Sequence, residues 1–239
     1  MPVSRGRKSK KQKAAQRRAG ARSPHRAGLM PQIDLDTMAL VLPRIPVEAL
    51  PLYAIAGLHR GMLAGTPAND CQVGCLTLQH ALAEFGIVSV LRVVQVTITG
   101  PDGGVRVGSL TPDWKDGAWT GHVLLEVPVM RRLTDPTLPQ VASFRADVAP
   151  ATKELLIGLM PADDWDVALV PRPPFMIQYQ RAHEGYHNSW NGPPLRRHAA
   201  DIKHNGLILA NLTLELLGSP SLRSRALHAP YPQLHQRLT

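Results

Sequence analysis

NDCQVGCLTLQHALAEFG, residues 69–86, reads as one helix with a thiol at its mouth. Cys71, Cys75, Leu78, Leu82 and Phe85 recur at three- and four-residue spacing and line one apolar stripe, while Gln72, Gln79, His80 and Glu84 fall elsewhere. Asn69 or Asp70 suits the cap at its start, and Gly86 suits the left-handed position just past its end. On that assignment Cys71 lies in the first turn, where unpaired backbone N–H groups and the positive end of the helix dipole favour a thiolate. A competing start, with Thr66 as cap and Pro67 as first helical residue, sets Cys71 about one turn deeper. Cys75 reads as core packing.

Upstream, residues 47–63 form the best helix among prolines at 43, 46 and 51, with Tyr53, Ile55 and Leu58 among its apolar positions, and it is expected to support the Cys71 helix. Gly65-Thr66-Pro67 breaks the chain beside the thiol. Downstream the period changes from helix to strand. Val94, Val96 and Ile98 alternate with Gln95, Thr97 and Thr99; residues 100–104 make a turn, and Val105 to Val107 return as a partner. A looser segment with Trp114, Lys115, Asp116 and Gly117 leads into residues 118–127, which read as a second main strand. Residues 128–130 turn the chain and residues 132–137 run back. With a loop of two or four residues, Leu124 faces Asp135 and His122 faces Thr137, so His122 and Asp135 share a face as diagonal neighbours.

Beyond Gln140, residues 152–160 read as a short helix. Residues 167–179 read as an extended segment that Pro171, Pro173 and Pro174 restrict to an edge or an irregular strand. Residues 197–217 read as a long buried helix stopped by Gly218 and Pro220, and residues 218–239 as a surface tail. The domain scheme is therefore a basic arm over 1–29 and one α+β domain over 30–217. Its core spans about 67–140, with a C-terminal extension over 141–217.

The formal charge of +9 is unevenly placed. Residues 1–29 carry ten Lys or Arg and no acid, leaving 17 basic against 18 acidic residues in the remainder. The high pI thus belongs to the arm, which reads as a disordered tail or as a segment that meets nucleic acid or an acidic surface by counterion release. It is not read as a signal peptide, because Leu29 and Met30 run straight into Pro31, Asp34 and Asp36. No stretch is long and apolar enough to span a bilayer. Two cysteines four apart on a helix fit a reducing compartment, and a cytoplasmic location is expected.

Cys71, His122 and Asp135 supply a nucleophile, a general base and the carboxylate that orients the base. In this order and spacing they resemble the transglutaminase-like superfamily of cysteine enzymes. There a cysteine opens a helix closed fifteen residues later by a Gly-Ile or Gly-Val pair, a histidine begins a strand, and Asp-Pro-Thr follows on the next. Here the matching residues are Cys71, Gly86-Ile87, Gly121-His122 and Asp135-Pro136-Thr137. The resemblance implies a papain-like core with the cysteine helix packed on an antiparallel sheet. It also implies catalytic roles for Cys71, His122 and Asp135, no cofactor, and a peptide, amide or thioester substrate. The related arylamine N-acetyltransferases share the order, but their Arg-Gly-Gly stretch before the cysteine is absent.

Two other functions compete with cysteine-dependent acyl transfer or amide hydrolysis. The core can serve as a non-catalytic module brought to nucleic acid or the ribosome by residues 1–29. Separately, His183-Glu184-Gly185-Tyr186-His187 matches the H-E-x-x-H pattern of zinc peptidases. That chemistry needs a continuous helix, whereas Gly185 sits between the ligands, Pro193 and Pro194 follow, and no third ligand stands out.

Overall fold

The computed structural model describes residues 38, 40–63, 71–143, 145–152 and 155–239. The basic arm, the 65–67 break and both candidate caps of the Cys71 helix lie outside them. What is described is α+β. Helix α1 is Leu50–Leu63 and helix α2 is Cys71–Ala83. A seven-stranded sheet follows, with strands β1 (Val90–Gly100), β2 (Gly103–Val107), β5 (His122–Val127), β6 (Arg132–Thr134), β7 (Ile157–Leu159), β8 (Val167–Arg172) and β9 (Phe175–Arg181). Its order is β7-β6-β5-β1-β9-β8, with β2 beside β1, and every pairing is antiparallel. Strands β3 (Trp114–Lys115) and β4 (Ala118–Trp119) form a separate hairpin.

Helix α2 ends as its residues require. Gly86 has φ +71°, its N–H donates to Ala83 O at 2.9 Å, and Ile87 N–H reaches back to Leu82 O at 3.1 Å. This pair of bonds satisfies the last carbonyls and needs a left-handed residue at Gly86.

The two faces of the sheet follow from period-2 alternation. Leu91, Val93, Val123, Leu125 and Val127 join the core shared with α1 and α2. Val94, Val96, Ile98 and Leu124 face a second core closed by Leu138, Val141, Val148, Leu156 and Trp165. Strand β5 is buried along its whole length, as a strand covered on both faces must be.

The C-terminal half departs from the expected outline. Residues 155–160 are not helical: helix α3 (Ala149–Thr152) ends at the first residue of the expected helix, and Ile157–Leu159 pairs with β6. Residues 167–179 contain two strands. The prolines fall in β8 and in the Pro173-Pro174 turn, so proline-free β9 can pair with the long central strand β1. Residues 118–119 belong to the small hairpin, whose turn uses Asp116 and Gly117 at φ 51° and 80°, the mirror-image geometry that two-residue hairpins favour. The 141–217 segment is thus no appendage, since it supplies three strands of the sheet.

Helix α4 is Pro193–Leu217, starting on a proline that has no N–H to lose there. It is amphipathic rather than buried: Leu209, Ala210 and Leu217 are fully covered, while Leu207 and Ile208 are exposed. Gly206 lets it cross α2 closely, because a Cβ there would stand 2.5 Å from His80 Cβ and 3.1 Å from Thr77 O. Gly206→Val is therefore expected to force the helices apart and cost about 1–3 kcal/mol, read by urea denaturation.

Nor are residues 218–239 a surface tail. Helices α5 (Arg223–Ala226) and α6 (Pro232–Leu238) carry Leu222, Ala226, Tyr231 and Leu234 into the same core as α2. The Arg225 guanidinium donates to the carbonyls of Leu42 and Ile45, and Tyr231 donates to Glu48 O at 2.6 Å. Few apolar residues interrupt a Pro-, Arg- and His-rich text there, yet Leu222, Ala226, Ala229, Tyr231, Leu234 and Leu238 are all buried.

Candidate active site

His122 opens β5 opposite Val94, at the point on β1 where one neighbour gives way to another. Strand β2 pairs with Val96 to Gly100, and β5 pairs with Val90 to Val94. Gly108 ends β2 with φ +77°, and a Cβ there would lie 2.7 Å from His122 Cβ and 2.8 Å from Val94 O. This position was not singled out from the sequence. A glycine just past a short return strand was the available signal, and it sets the backbone against which the imidazole stands.

Strands β5 and β6 are joined by the four residues 128–131 and pair Leu125 with Thr134. The same register carries Leu124 opposite Asp135, so the parity expected from the hairpin is the one formed. His122 Nε2 and Asp135 Oδ2 are 2.7 Å apart across that diagonal. The other carboxylate oxygen, Oδ1, accepts the N–H groups of Leu138 at 3.0 Å and Thr137 at 3.3 Å. Asp135 is thus fixed by the turn it begins and presents its free oxygen to the ring.

Helix α2 is pinned to both segments. One turn beyond Cys71, Gly74 lies against the Asp135-Pro136-Thr137 turn, where a Cβ would stand 2.8 Å from Thr137 Cγ2. The Cys75 thiol lies 3.5 Å from the carbonyl of Val123, the residue after His122. Cys71, His122 and Asp135 are 9%, 5% and 1% exposed, so each stands in a largely dry environment.

Burial opposes a charge on His122, but the Asp135 carboxylate and its hydrogen bond, with a further contribution from Cys71, hold the imidazole up at about 10. With Nε2 turned to Asp135, Nδ1 is the ring nitrogen left for the thiol. Cys75 is pushed well up by burial and by the nearby charges of Asp135 and Cys71, so it stays a protonated core thiol.

A second histidine lies close by. His59 of α1 is buried, with its Cε1 3.4 Å from the Cβ position of Gly74, and its Nδ1 has no hydrogen-bond partner among the described residues. Burial lowers its pKa to about 4. A histidine depressed in the folded state favours folding above its unfolded value of 6.5 and loses that advantage as pH falls toward 4. From pH 7 to pH 5 the loss is expected to be on the order of 2 kcal/mol, and His59→Leu should remove it, as read by denaturation at the two pH values.

Residues 183–187 do not form the helix that a zinc peptidase needs. His183, Glu184 and His187 are exposed, Gly185 has φ +94°, and Tyr186 N–H closes a turn onto His183 O at 3.2 Å. Among the described residues no group of three His, Cys, Asp or Glu is placed to hold a metal ion. The segment instead packs near the thiol: Gln72, next to Cys71, donates to Trp190 O at 3.2 Å.

No family model matches the chain, and no curated protein matches it. Among solved structures it is similar to genomics target APC5867, at 14% identity over 70% of this chain and 78% of that one, with a TM-score of 0.41. Among the described residues no helix is long and apolar enough to cross a membrane.

Proposed function

We infer that the protein is a cysteine-dependent acyl-transfer enzyme or amidase of the transglutaminase-like kind, built on a papain-like core. The observation that carries this reading is the buried His122–Asp135 pair at 2.7 Å, with Cys71 acting on the same imidazole. Each member has its role. Asp135 fixes the ring and stabilises its cation, His122 takes the thiol proton at Nδ1, and Cys71 attacks a carbonyl carbon. The acyl group passes to sulfur, the leaving group departs with the proton held by His122, and water or an amine then releases the acyl group from the thioester.

The test is an intact-mass measurement after incubation with p-nitrophenyl acetate. A single acetyl adduct on Cys71 is expected, lost in Cys71→Ala and strongly slowed in His122→Ala. An adduct that forms equally fast without His122 would remove the base from the scheme.

A further inference from the structure

Two segments outside the triad are sewn together beside it. The β3–β4 hairpin sets Trp114 opposite Trp119. Trp119 stands three residues before His122, its ring over the backbone of Gly121, where a Cβ would come within 2.2 Å of it. The Tyr186–Trp190 turn meets this hairpin from the other side. Trp114 Nε1 donates to Ser189 O at 2.8 Å, and Gly192 leaves room for the Trp114 ring, 2.1 Å from where its Cβ would be. The turn is tied to the thiol helix by the Gln72 bond to Trp190 O. Trp119, Tyr186 and Trp190 pack on the core cluster that contains Cys71, yet all four aromatic side chains are only half-buried.

Half-covered rings leave apolar surface that a further apolar chain would bury. One polar atom among them also lacks its complement. The Trp119 indole N–H is buried and has no acceptor among the described residues. A buried donor left unpaired costs about 1–3 kcal/mol, which an arriving oxygen would recover.

We propose that the Trp114–Trp119 hairpin and the Tyr186–Trp190 turn form the acyl-group site of Cys71, and that this site takes an extended apolar acyl chain. The rings cover the chain, and the Trp119 N–H receives an oxygen of the substrate. The proposal rests on the cysteine-dependent reading above and narrows its substrate class.

The experiment uses p-nitrophenyl acetate, butyrate and hexanoate. In each case the Cys71 sulfur forms a bond to the ester carbonyl carbon, the carbon–oxygen bond breaks, and p-nitrophenolate leaves with the electron pair and is read by its colour. Each acylation rate is divided by that of free N-acetylcysteine with the same ester, which cancels intrinsic reactivity. The normalised rate is expected to rise by roughly fourfold per buried methylene, giving a hexanoyl-to-acetyl ratio of about 200-fold if all four added methylenes are covered. Trp190→Ala should bring that ratio close to one. Trp114→Phe, which keeps a ring but deletes the N–H that holds Ser189, should lower it as well and serves if the first variant fails to fold. A flat ratio with an acetyl adduct still forming, or a ratio unchanged by either variant, overturns the acyl site and leaves the triad standing. No adduct with any ester overturns both.

Discussion

His122→Ala should slow alkylation of Cys71 by iodoacetamide roughly 10²–10⁴-fold near neutral pH, the range spanned by a positioned general base. The rate is followed by intact mass, and only one of the two cysteines should react. Cys75 is fully buried and pushed toward its protonated form, so a second adduct under native conditions would contradict the geometry. Asp135→Asn tests the same pair from the other side. The amide keeps the shape but not the charge, so the main support of the imidazolium is lost and His122 falls well below about 10. The sign for stability follows. A histidine raised by its partner contributes stability that is complete below 6.5 and is lost as pH rises toward 10, and Asp135→Asn should abolish that alkaline dependence.

Glu126→Ala is expected to cost about 3 kcal/mol, from the lower end of the range for breaking a buried pair. Glu126 is fully buried on β5 and accepts from Arg92 Nε at 2.6 Å and from Arg181 at 3.2 Å. Removing it strands Arg181, whose side chain is 12% exposed and whose other carboxylate partner, Asp164, sits in open solvent. Arg92 loses less, being partly hydrated already. The guanidinium of Arg181 also lies 4.7 Å over the Trp165 ring, so a shift of that arginine disturbs the second core. Urea denaturation measures the loss. Glu126 lies four residues from His122 along the strand, on the order of 13 Å. Labelling of Cys71 in the still-folded variant should therefore persist, which separates this charge from the chemistry.

The pairing of His122 with Asp135 was more legible in the sequence than the fold around it. Helix α2 and the β1–β2 and β5–β6 hairpins are local, with their register written in alternation and loop length, and those three elements bring His122 to Asp135. What escaped notice depends on distant partners. Strand β9 reads as peripheral only while Pro171, Pro173 and Pro174 are taken with it; they belong to its neighbour and the connecting turn. Leu222, Ala226, Tyr231 and Leu234 lack any clear helical stripe and are buried in a core assembled from residues distant in sequence. Gly108 and the Tyr186–Trp190 turn act through loop geometry, which hydrophobic period does not encode.

The meeting of β7 and β8 carries one more consequence. These are the outermost strands of the sheet order, yet Val170 Cγ2 on β8 reaches within 2.7 Å of the Cβ position of Gly158 on β7. Each edge shelters the other, so Leu159, Val167 and Leu169, though exposed, border backbone that a foreign strand cannot readily approach. Bulk at residue 158 would prise this seam open and offer unpaired backbone to other molecules, turning a small packing fault into a route to aggregation.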